Sequence, residues 1–490
     1  MSIEKLTKYA LQYGFFFPTA EIYSTAPSGF WDYGPLGSLL KKKFLDFAIR
    51  ELIRKDGMIL IDGAQILPRD VFVASGHLES FTDPVCSCRK CGSTFRADKL
   101  IEEKLGIHVP ERSPLAELEK LLQNVKCPSC GGQLGNLRLF NMMFKTTVGV
   151  DGDEVYLRPE TTQNIYISFP RLYLYARRRL PLPVAQIGKS FRNEISPRQS
   201  LLRLREFTQL EIEVFYNPAT VDKTDKYKQI AKQRIPLHID GERMITTCEE
   251  AIGQSYISNW LQAYYLILIQ EFYIKLGIPF EKIRFRQLDE EEKPFYATRT
   301  WDLEIKTNFG WIELVACNDR GDYDLTSHMK VSGKDMYVTD QGTKFVPHVF
   351  ELSMGVDRSI LTLLDLGLME EGERTVLKIH PELAPITVAV FPLVKNEEMV
   401  KIAKEIYELL KLDFDVVYDD SGSIGRRYRR QDAIGTPYCI TVDHQTLEDK
   451  SVTIRDRDTM KQERVMIADL KNYLTRKIKK CDNYQSYSAS

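Results

Sequence analysis

The stretch Phe191-Arg192-Asn193-Glu194 is followed, across a basic loop, by Arg203, Arg205, Glu206 and Phe207 and then by Glu211 and Glu213. An arginine at a strand end suits bidentate phosphate binding, a nearby carboxylate accepts from an exocyclic amine, and an aromatic ring stacks on a base. Together these side chains describe a nucleotide site, although charge alternation on a solvated strand would produce Arg-x-Glu by itself. A second cluster is Cys88-x2-Cys91 with Gly92, answered by Cys127-Pro-x-Cys130 with Gly131. Each pair turns so that two thiolates converge, and four thiolates saturate one tetrahedral zinc ion, which makes such a metal structural. Cys86 and His108 are spare, and the competing reading is a set of free buried thiols. Cys248, Cys317, Cys439 and Cys481 are scattered and read as packing or surface residues.

Positioning such groups takes a large scaffold. The 490 residues leave room for about three domains. A composition 43% hydrophobic and 28% charged is that of a globular protein without collagenous or disordered bias. Lys+Arg 67 against Asp+Glu 68 leaves a net charge of −1, so a polyanionic partner must be met by local basic patches. The richest apolar window, Tyr264 to Leu276, is broken by Gln270, Glu271 and Lys275, which argues against a membrane protein. The opening MSIEKLTKYALQYGFFF does not have the pattern of a secretory signal, and nine cysteines are too few for a disulfide scaffold, so the expected compartment is the cytoplasm.

Pro and Gly residues make Ser24 to Gly37 turn-rich, and Ser38 to Lys55 follows as an amphipathic helix with Leu39, Leu40, Phe44, Phe47, Ala48 and Leu52 on one face. The cysteine-bearing insert runs from 82 to 139, with a helical segment at Ser113 to Gln123. Short runs at Glu154 to Leu157, Val184 to Phe191, Glu206 to Phe215 and Phe309 to Val315 read as strands. They are too widely spaced for a βαβ repeat, and a large antiparallel sheet with flanking helices, an α+β fold, is expected. Residues 222–277 read as a helical insert whose helix, Glu249 to Leu276, carries the stripe Ile252, Tyr256, Trp260, Tyr264 and Leu268. After a linker at His380 to Pro385, strands alternate with helices through 381–481 in a compact α/β domain, followed by a polar, disordered tail at 482–490.

Phe-Arg-x-Glu at 191–194 with Arg203, Arg205 and Phe207 resembles the second signature of class II aminoacyl-tRNA synthetases. Gly355-Val356-Asp357-Arg358, opening an apolar helix, resembles the third. Further stretches, among them TrpAspTyrGlyProLeuGly at 31–37, ArgProGluThrThrGln at 158–163, ArgGluPheThrGlnLeuGlu at 205–211, GlyTrpIleGlu at 310–313 and AspTyrAspLeu at 322–325, are similar to the dimeric, single-chain glycyl-tRNA synthetases over nearly the whole chain. IleGlyArgArgTyrArgArgGlnAspAlaIleGlyThrPro at 424–437 resembles their anticodon-binding domain. The resemblance implies activation of glycine by ATP, transfer to the 3′ end of tRNA(Gly), and a homodimer paired through Ser38 to Val73, where the helix's apolar stripe needs a cover. It implies a catalytic set of Arg192, Glu206 and Arg358. The ATP site would comprise Arg192, Asn193, Glu194, Leu202, Arg203, Leu204, Arg205, Glu206, Phe207, Glu313, Leu314, Gly355, Val356, Asp357 and Arg358. Within it Arg192 takes the α-phosphate, Arg203 or Arg205 the outer phosphates, Glu194 the adenine amine, Phe207 and Arg358 the two adenine faces, and Glu313 the magnesium ion.

Glycine would be held by Arg96, Glu160, Phe207, Thr208, Gln209, Leu210, Glu211, Glu351, Leu352, Ser353, Met354 and Gly355, with Glu160, Glu211 and Glu351 as an acidic ring for the ammonium group and Ser353 as a close wall. A pocket without room for a methyl rejects alanine by shape. The chain departs from the family at Leu352, where Glu-Pro-Ser becomes Glu351-Leu352-Ser353 and a turn loses its proline, at Asn318 within Ala316-Cys317-Asn318-Asp319-Arg320, and at Phe295. Arg426, Arg427, Arg429 and Arg430 on one short helix are the expected tRNA phosphate ligands, with Arg177 to Arg179 and Lys41 to Lys43 as weaker candidates. Two other readings compete: an inactive, synthetase-derived nucleic-acid-binding subunit, in which the signature residues would be eroded, and a class II ligase for another small amino acid.

Overall fold

The computed structural model describes every residue except 111–112, 196, 198, 290–291, 295, 341 and 480–490. Phe295, Cys481 and the expected tail lie outside the described residues. Nine strands build the central sheet: β1 (Ile59–Ile61), β2 (Leu182–Phe191), β3 (Glu206–Tyr216), β4 (Arg234–Ile239), β5 (Glu242–Thr247), β6 (Ile283–Gln287), β7 (Arg299–Thr307), β8 (Gly310–Gly321) and β9 (His348–Gly355). They lie in the order β5-β4-β6-β7-β8-β9-β3-β2-β1. The β1/β2 and β4/β6 junctions are parallel, and the other junctions are antiparallel.

Alternation along each strand sorts the side chains by face. Leu210, Ile212 and Val214 of β3 and Phe350, Leu352 and Met354 of β9 enter the main core, while Gln209, Glu211, Glu213, Glu351 and Ser353 point the other way. On β8 the alternation slips. The register shifts opposite Leu303 and Glu304, and the consecutive residues Leu314 and Val315 both enter the core. This bulge lets Glu313 before it and Ala316, Asn318 and Arg320 after it share the polar face.

Seven helices matter for the site and its surroundings: α1 (Pro35–Ala48), α2 (Thr162–Tyr175), α3 (Trp260–Lys275), α4 (Tyr323–Ser332), α5 (Val356–Gly367), α6 (Glu397–Leu410) and α7 (Ile424–Ile434). α1 starts three residues earlier than the turn-rich sequence suggests, because Pro35 sits at the first helical position, where its missing N–H costs nothing. Leu40, Phe44, Phe47, Ala48 and Leu52 are buried in the chain's own core, with Phe44 and Phe47 against Phe272 of α3. The stripe expected to need a second subunit is therefore covered internally.

The expected helix Glu249 to Leu276 is two helices. Cys248–Gly253 ends, Ser255 takes a φ of 59°, and Asn259 caps α3 by accepting from the Gln262 N–H at 2.9 Å. Tyr256 falls in the break. The insert is also not purely helical, since β4 and β5 belong to it and extend the sheet. Leu352 lies mid-strand, paired with Ile212 on one side and Cys317 on the other. No turn exists there to lose a proline.

The cysteine insert folds around strands Thr82–Cys88, Thr94–Arg96 and Leu134–Asn141, with helices Ala97–Leu105 and Leu115–Leu122 closing a small core of its own. The C-terminal sheet comprises β10 (Val388–Pro392), β11 (Val416–Tyr418), β12 (Tyr438–Val442), β13 (Ser451–Asp456) and β14 (Gln462–Met466), in the order β11-β10-β12-β13-β14. Its core is separate. Tyr9 donates to the Ala433 carbonyl at 2.6 Å, and buried Asp432 joins Arg374 to Arg455, which ties this domain to the body. No helix among the described residues is long and apolar enough to cross a membrane.

Candidate active site

The polar face of the sheet floors a cavity of about 300 Å³. Register sets the polar face in rows: Thr300, Asn318 and Glu351 border the cavity from β7, β8 and β9 with Glu213 of β3 beyond them, and Asp302, Ala316 and Ser353 form the next row with Glu211 behind it. Glu160, in the turn before α2, accepts from Gln163 Nε2 at 2.7 Å and faces His77 Nε2 at 3.7 Å. Burial pushes its carboxyl up, but His77, Arg320 and the Gln163 hydrogen bond outweigh burial and hold it below the usual carboxylate range. Gln163 Oε1 meets His328 Nε2 at 2.8 Å. Burial drops that imidazole to about 4, so it is neutral at physiological pH and Nε2–H donates.

Glu351 accepts from Arg320 Nη1 at 3.0 and 3.1 Å and from Asn318 Nδ2 at 2.6 Å. Arg320 spends its other edge on Asp324, twice at 2.7 Å. Glu211 lies behind the cavity wall. Its Oε1 accepts from Ser353 at 2.8 Å and Gln209 Nε2 at 2.9 Å, and its Oε2 from Thr161 at 2.6 Å. Burial, then the charges of Glu160 and Glu351, push this carboxyl up to about 7 against the pull of Thr161 and Ser353. Gln209 Oε1 is left buried without a hydrogen-bond partner among the described residues.

At the mouth, Arg192 donates to the Pro159 carbonyl at 3.1 Å and lies 5.3 Å from the Phe207 ring centroid; no ion pair engages it among the described residues. Arg203 pairs with Glu194 at 2.7 Å, and Arg358 with Glu313 at 3.0 Å. Beneath them Asp302 is pushed well above the usual range by burial and by Glu313. The cavity wall also includes Leu202, Leu204, Thr208 and Gly355.

Other expected site residues stand elsewhere. Arg96 is on the insert, bound to Asp98 and Asp83. Glu206, neighbour to Phe207 on an alternating strand, points away and pairs with Lys189 at 3.0 Å. Arg205 is held by the carbonyls of Glu194 and Ser28, which leaves Arg203 as the one of the pair lining the cavity. The backbone N–H of Asn193 donates to Met142. Leu210, Leu314, Leu352, Met354 and Val356 turn their side chains into the core. Asp357 touches the cavity, but its carboxylate is spent on Tyr33, Lys41 and the Thr208 N–H, which clamps α5 to α1 and β3.

The four arginines of α7 do not share a face. Arg426, Arg429 and Arg430, spaced by three and four, are exposed, whereas Arg427 is buried and donates to the carbonyls of Pro392, Asp420 and Gly422. Lys41 and Lys43 are likewise engaged, with Asp357 and Asp415; Arg177 to Arg179 are exposed. Sequence reasoning missed His77, His328, Thr161, Gln163, Thr300 and Asp302. Thr161 and Gln163 sat inside a recognised motif, but the other four become neighbours only through the sheet and its packed helices.

The cysteine sulfurs of 88, 91, 127 and 130 lie within 4.8 Å of one another. Cys88 is 3.5 Å from Cys130, and Cys91 is 3.7 Å from Cys127. Zinc–sulfur bonds of about 2.3 Å give tetrahedral edges of about 3.8 Å, so the four positions fit that ion. Cys86 and His108 are outside the cluster.

Comparison with known proteins agrees with this geometry. Residues 144–235 match the tRNA synthetase class II core domain (G, H, P, S and T), and residues 387–477 match the anticodon binding domain. Curated glycine–tRNA ligases are similar along almost the whole chain: that of Thermococcus gammatolerans is 41% identical, covering 94% of this chain and 96% of the relative. Those of Pyrococcus furiosus (42% identical; 93% and 95%) and Methanocaldococcus jannaschii (38%; 97% and 99%) align as fully. At such identity over nearly its full length, and with both domains in place, the chain belongs to the glycine–tRNA ligase family of class II aminoacyl-tRNA synthetases.

Proposed function

We propose that this protein activates glycine with ATP to glycyl-adenylate and transfers the glycyl group to the 3′ end of tRNA(Gly). The observation that carries the reading is a pair of acceptors at the cavity, an ionised carboxylate and an amide oxygen that has no donor among the described residues. Glu160 is held ionised while accepting from Gln163, and Gln209, having given its amide hydrogens to Glu211 and Ser353, leaves Oε1 buried with no donor among the described residues. A substrate ammonium supplies the missing donors. Glu351 and Ser353 close the space around it, and Glu211 acts from behind by orienting Gln209 and Ser353.

With the ammonium fixed, the glycine carboxylate faces the mouth, where Arg192 is the uncommitted guanidinium for the α-phosphate. Phe207 offers its ring to adenine, and Arg203 and Arg358 reach the outer phosphates and adenine by releasing Glu194 and Glu313. In-line attack then needs positioning and charge neutralisation more than covalent help. The family implies Mg²⁺; Glu313 and buried Asp302 are the acidic pair that would hold it, and the chemistry it would supply there is neutralisation of phosphate charge.

Glu211 sets a pH dependence. Its carboxylate forms as pH rises through about 7, and the carboxylate accepts from Thr161, Ser353 and Gln209 at once, which sets the Gln209 amide. The KM for glycine is therefore expected to fall between pH 6 and 8, and Glu211→Gln to raise KM and flatten the profile, as measured by pyrophosphate exchange across that range.

Structural zinc in the four-cysteine cluster completes the insert. Elemental analysis is expected to find one zinc per chain, lost with the insert's fold in Cys91→Ser or Cys130→Ser; metal-free native protein would remove this assignment. On α7, Arg426 is the exposed arginine without an ion pair among the described residues, and Arg429 and Arg430 meet tRNA phosphates by releasing Glu373 and Asp419. The chain is further read as a homodimer acting in the cytoplasm, where its substrates reside. Support for the dimer is the groove between α1 and the edge strand β1, where Leu45, Ile49, Leu60 and Ile187 are flanked by Lys42, Asp46 and Asp62, with Leu60 45% exposed. The assay for the overall reading is ATP-dependent attachment of labelled glycine to tRNA(Gly); no charging by the purified full chain would end it.

A further inference from the structure

We propose that Asn318, held by Thr300, is a specificity-determining residue: it fixes Glu351 and fills the floor of the amino-acid pocket where a side-chain methyl group would otherwise fit. The inference rests on the glycine-site reading above and extends it to residues that lie beyond the acidic ring.

The β8 bulge at Leu314 brings Asn318 onto the cavity face, directly between Thr300 on β7 and Glu351 on β9. Asn318 is 3% exposed and Thr300 1%, yet both border the cavity. The Thr300 hydroxyl donates to Asn318 Oδ1 at 2.8 Å. That bond fixes which end of the amide points where, because a flipped amide would meet Glu351 with its oxygen. Nδ2 consequently donates to Glu351 Oε2 at 2.6 Å, the shortest of that carboxylate's contacts with Asn318 and Arg320. Glu351 thus receives a donor from each side, Arg320 from one and Asn318 from the other, and cannot swing away to admit a larger substrate.

Shape and charge are separable here. Truncation to alanine removes three heavy atoms from a buried wall, more than a methyl group requires, and frees Glu351 on one side. Aspartate keeps the volume but replaces the donor by a second acceptor facing Glu351. Thr300→Val keeps the volume of Thr300 and removes the hydroxyl that sets the amide.

The experiment is tRNA-independent ATP–pyrophosphate exchange by the full-length protein with glycine, alanine and serine, alongside thermal melting of each variant. Asn318→Ala is expected to raise the glycine KM with little change in kcat. It should also raise the alanine-to-glycine ratio of kcat/KM by about tenfold to a hundredfold, the range one methyl's worth of pocket space commands. Asn318→Asp should raise the glycine KM but still reject alanine, and Thr300→Val should show a smaller loss of discrimination than Asn318→Ala. Folded Asn318→Ala with wild-type glycine KM and wild-type rejection of alanine overturns the proposal. Should Asn318→Ala not fold, wild-type glycine KM in both Asn318→Asp and Thr300→Val overturns it equally. Failure of the wild-type protein to exchange with glycine at all contradicts the underlying site reading instead, so the two outcomes are distinct.

Discussion

Arg192→Ala is expected to lower glycine-dependent ATP–pyrophosphate exchange by about 10²- to 10³-fold, the usual cost of removing a preorganised group that meets developing charge. Three arginines surround the mouth, but two are committed: Arg203 to Glu194 and Arg358 to Glu313. Arg192 alone of the three has no ion pair among the described residues: its Nε donates to the Pro159 carbonyl and its guanidinium lies by the Phe81 and Phe207 rings at the border of the cavity. Arg192→Lys should recover little, since a point charge cannot reproduce a bidentate fork. Glu206→Ala, by contrast, should leave exchange nearly unchanged, because its carboxylate pairs with Lys189 away from the cavity. Steady-state kinetics on the three variants check the ordering, and equal losses in Arg192→Ala and Glu206→Ala would contradict it.

The largest stability effect is expected at Asp432, outside the site. Its carboxylate is 1% exposed and receives Arg374 Nε at 2.8 Å and Arg455 at 2.9 and 3.0 Å. Arg374 belongs to the catalytic body and Arg455 to β13, so one anion joins the two parts of the chain. Asp432→Ala strands the buried Arg455 guanidinium and leaves Arg374 with Glu371 and the Arg457 carbonyl; removing one partner of a buried pair costs about 3 to 5 kcal/mol. Denaturant unfolding should show the C-terminal domain melting ahead of the body. Pyrophosphate exchange should survive and tRNA charging should fall, because no described residue of this domain lines the cavity. A single unshifted transition with full charging would show that the bridge does not couple the domains.

Much of this arrangement was legible in the sequence where local rules decide. The alternation of strands and helices expected through 381–481 is present, with helices Glu397–Leu410 and Ile424–Ile434 and strand Tyr438–Val442 among its elements, because hydrophobic period is a local property. The nucleotide and glycine motifs were readable as motifs because their spacing is local. What could not be read depends on pairing between distant segments. No local signal places Thr300, Asn318 and Glu351 in one row, and no pattern in Glu313 to Arg320 announces that two successive residues turn inward at a bulge. Glu211 reads as a member of the acidic ring, but only the packing shows that Ser353 and Gln209 stand between it and the cavity. Arg427 was within reach: four arginines at 426, 427, 429 and 430 cannot all lie on one face of a helix turning every 3.6 residues. The stripe of α1 is also truly apolar, but its cover, α3, lies more than two hundred residues away.

The central claim is that buried acceptors at the cavity floor select a small ammonium-bearing acid and present its carboxylate to ATP at Arg192. ATP–pyrophosphate exchange by the purified full-length protein, without tRNA, measured with glycine, alanine and serine in parallel, tests it most directly. The account predicts exchange with glycine, little with the other two, and loss of the glycine signal in Arg192→Ala. Equal exchange with alanine or serine, or undiminished exchange in Arg192→Ala, would contradict it.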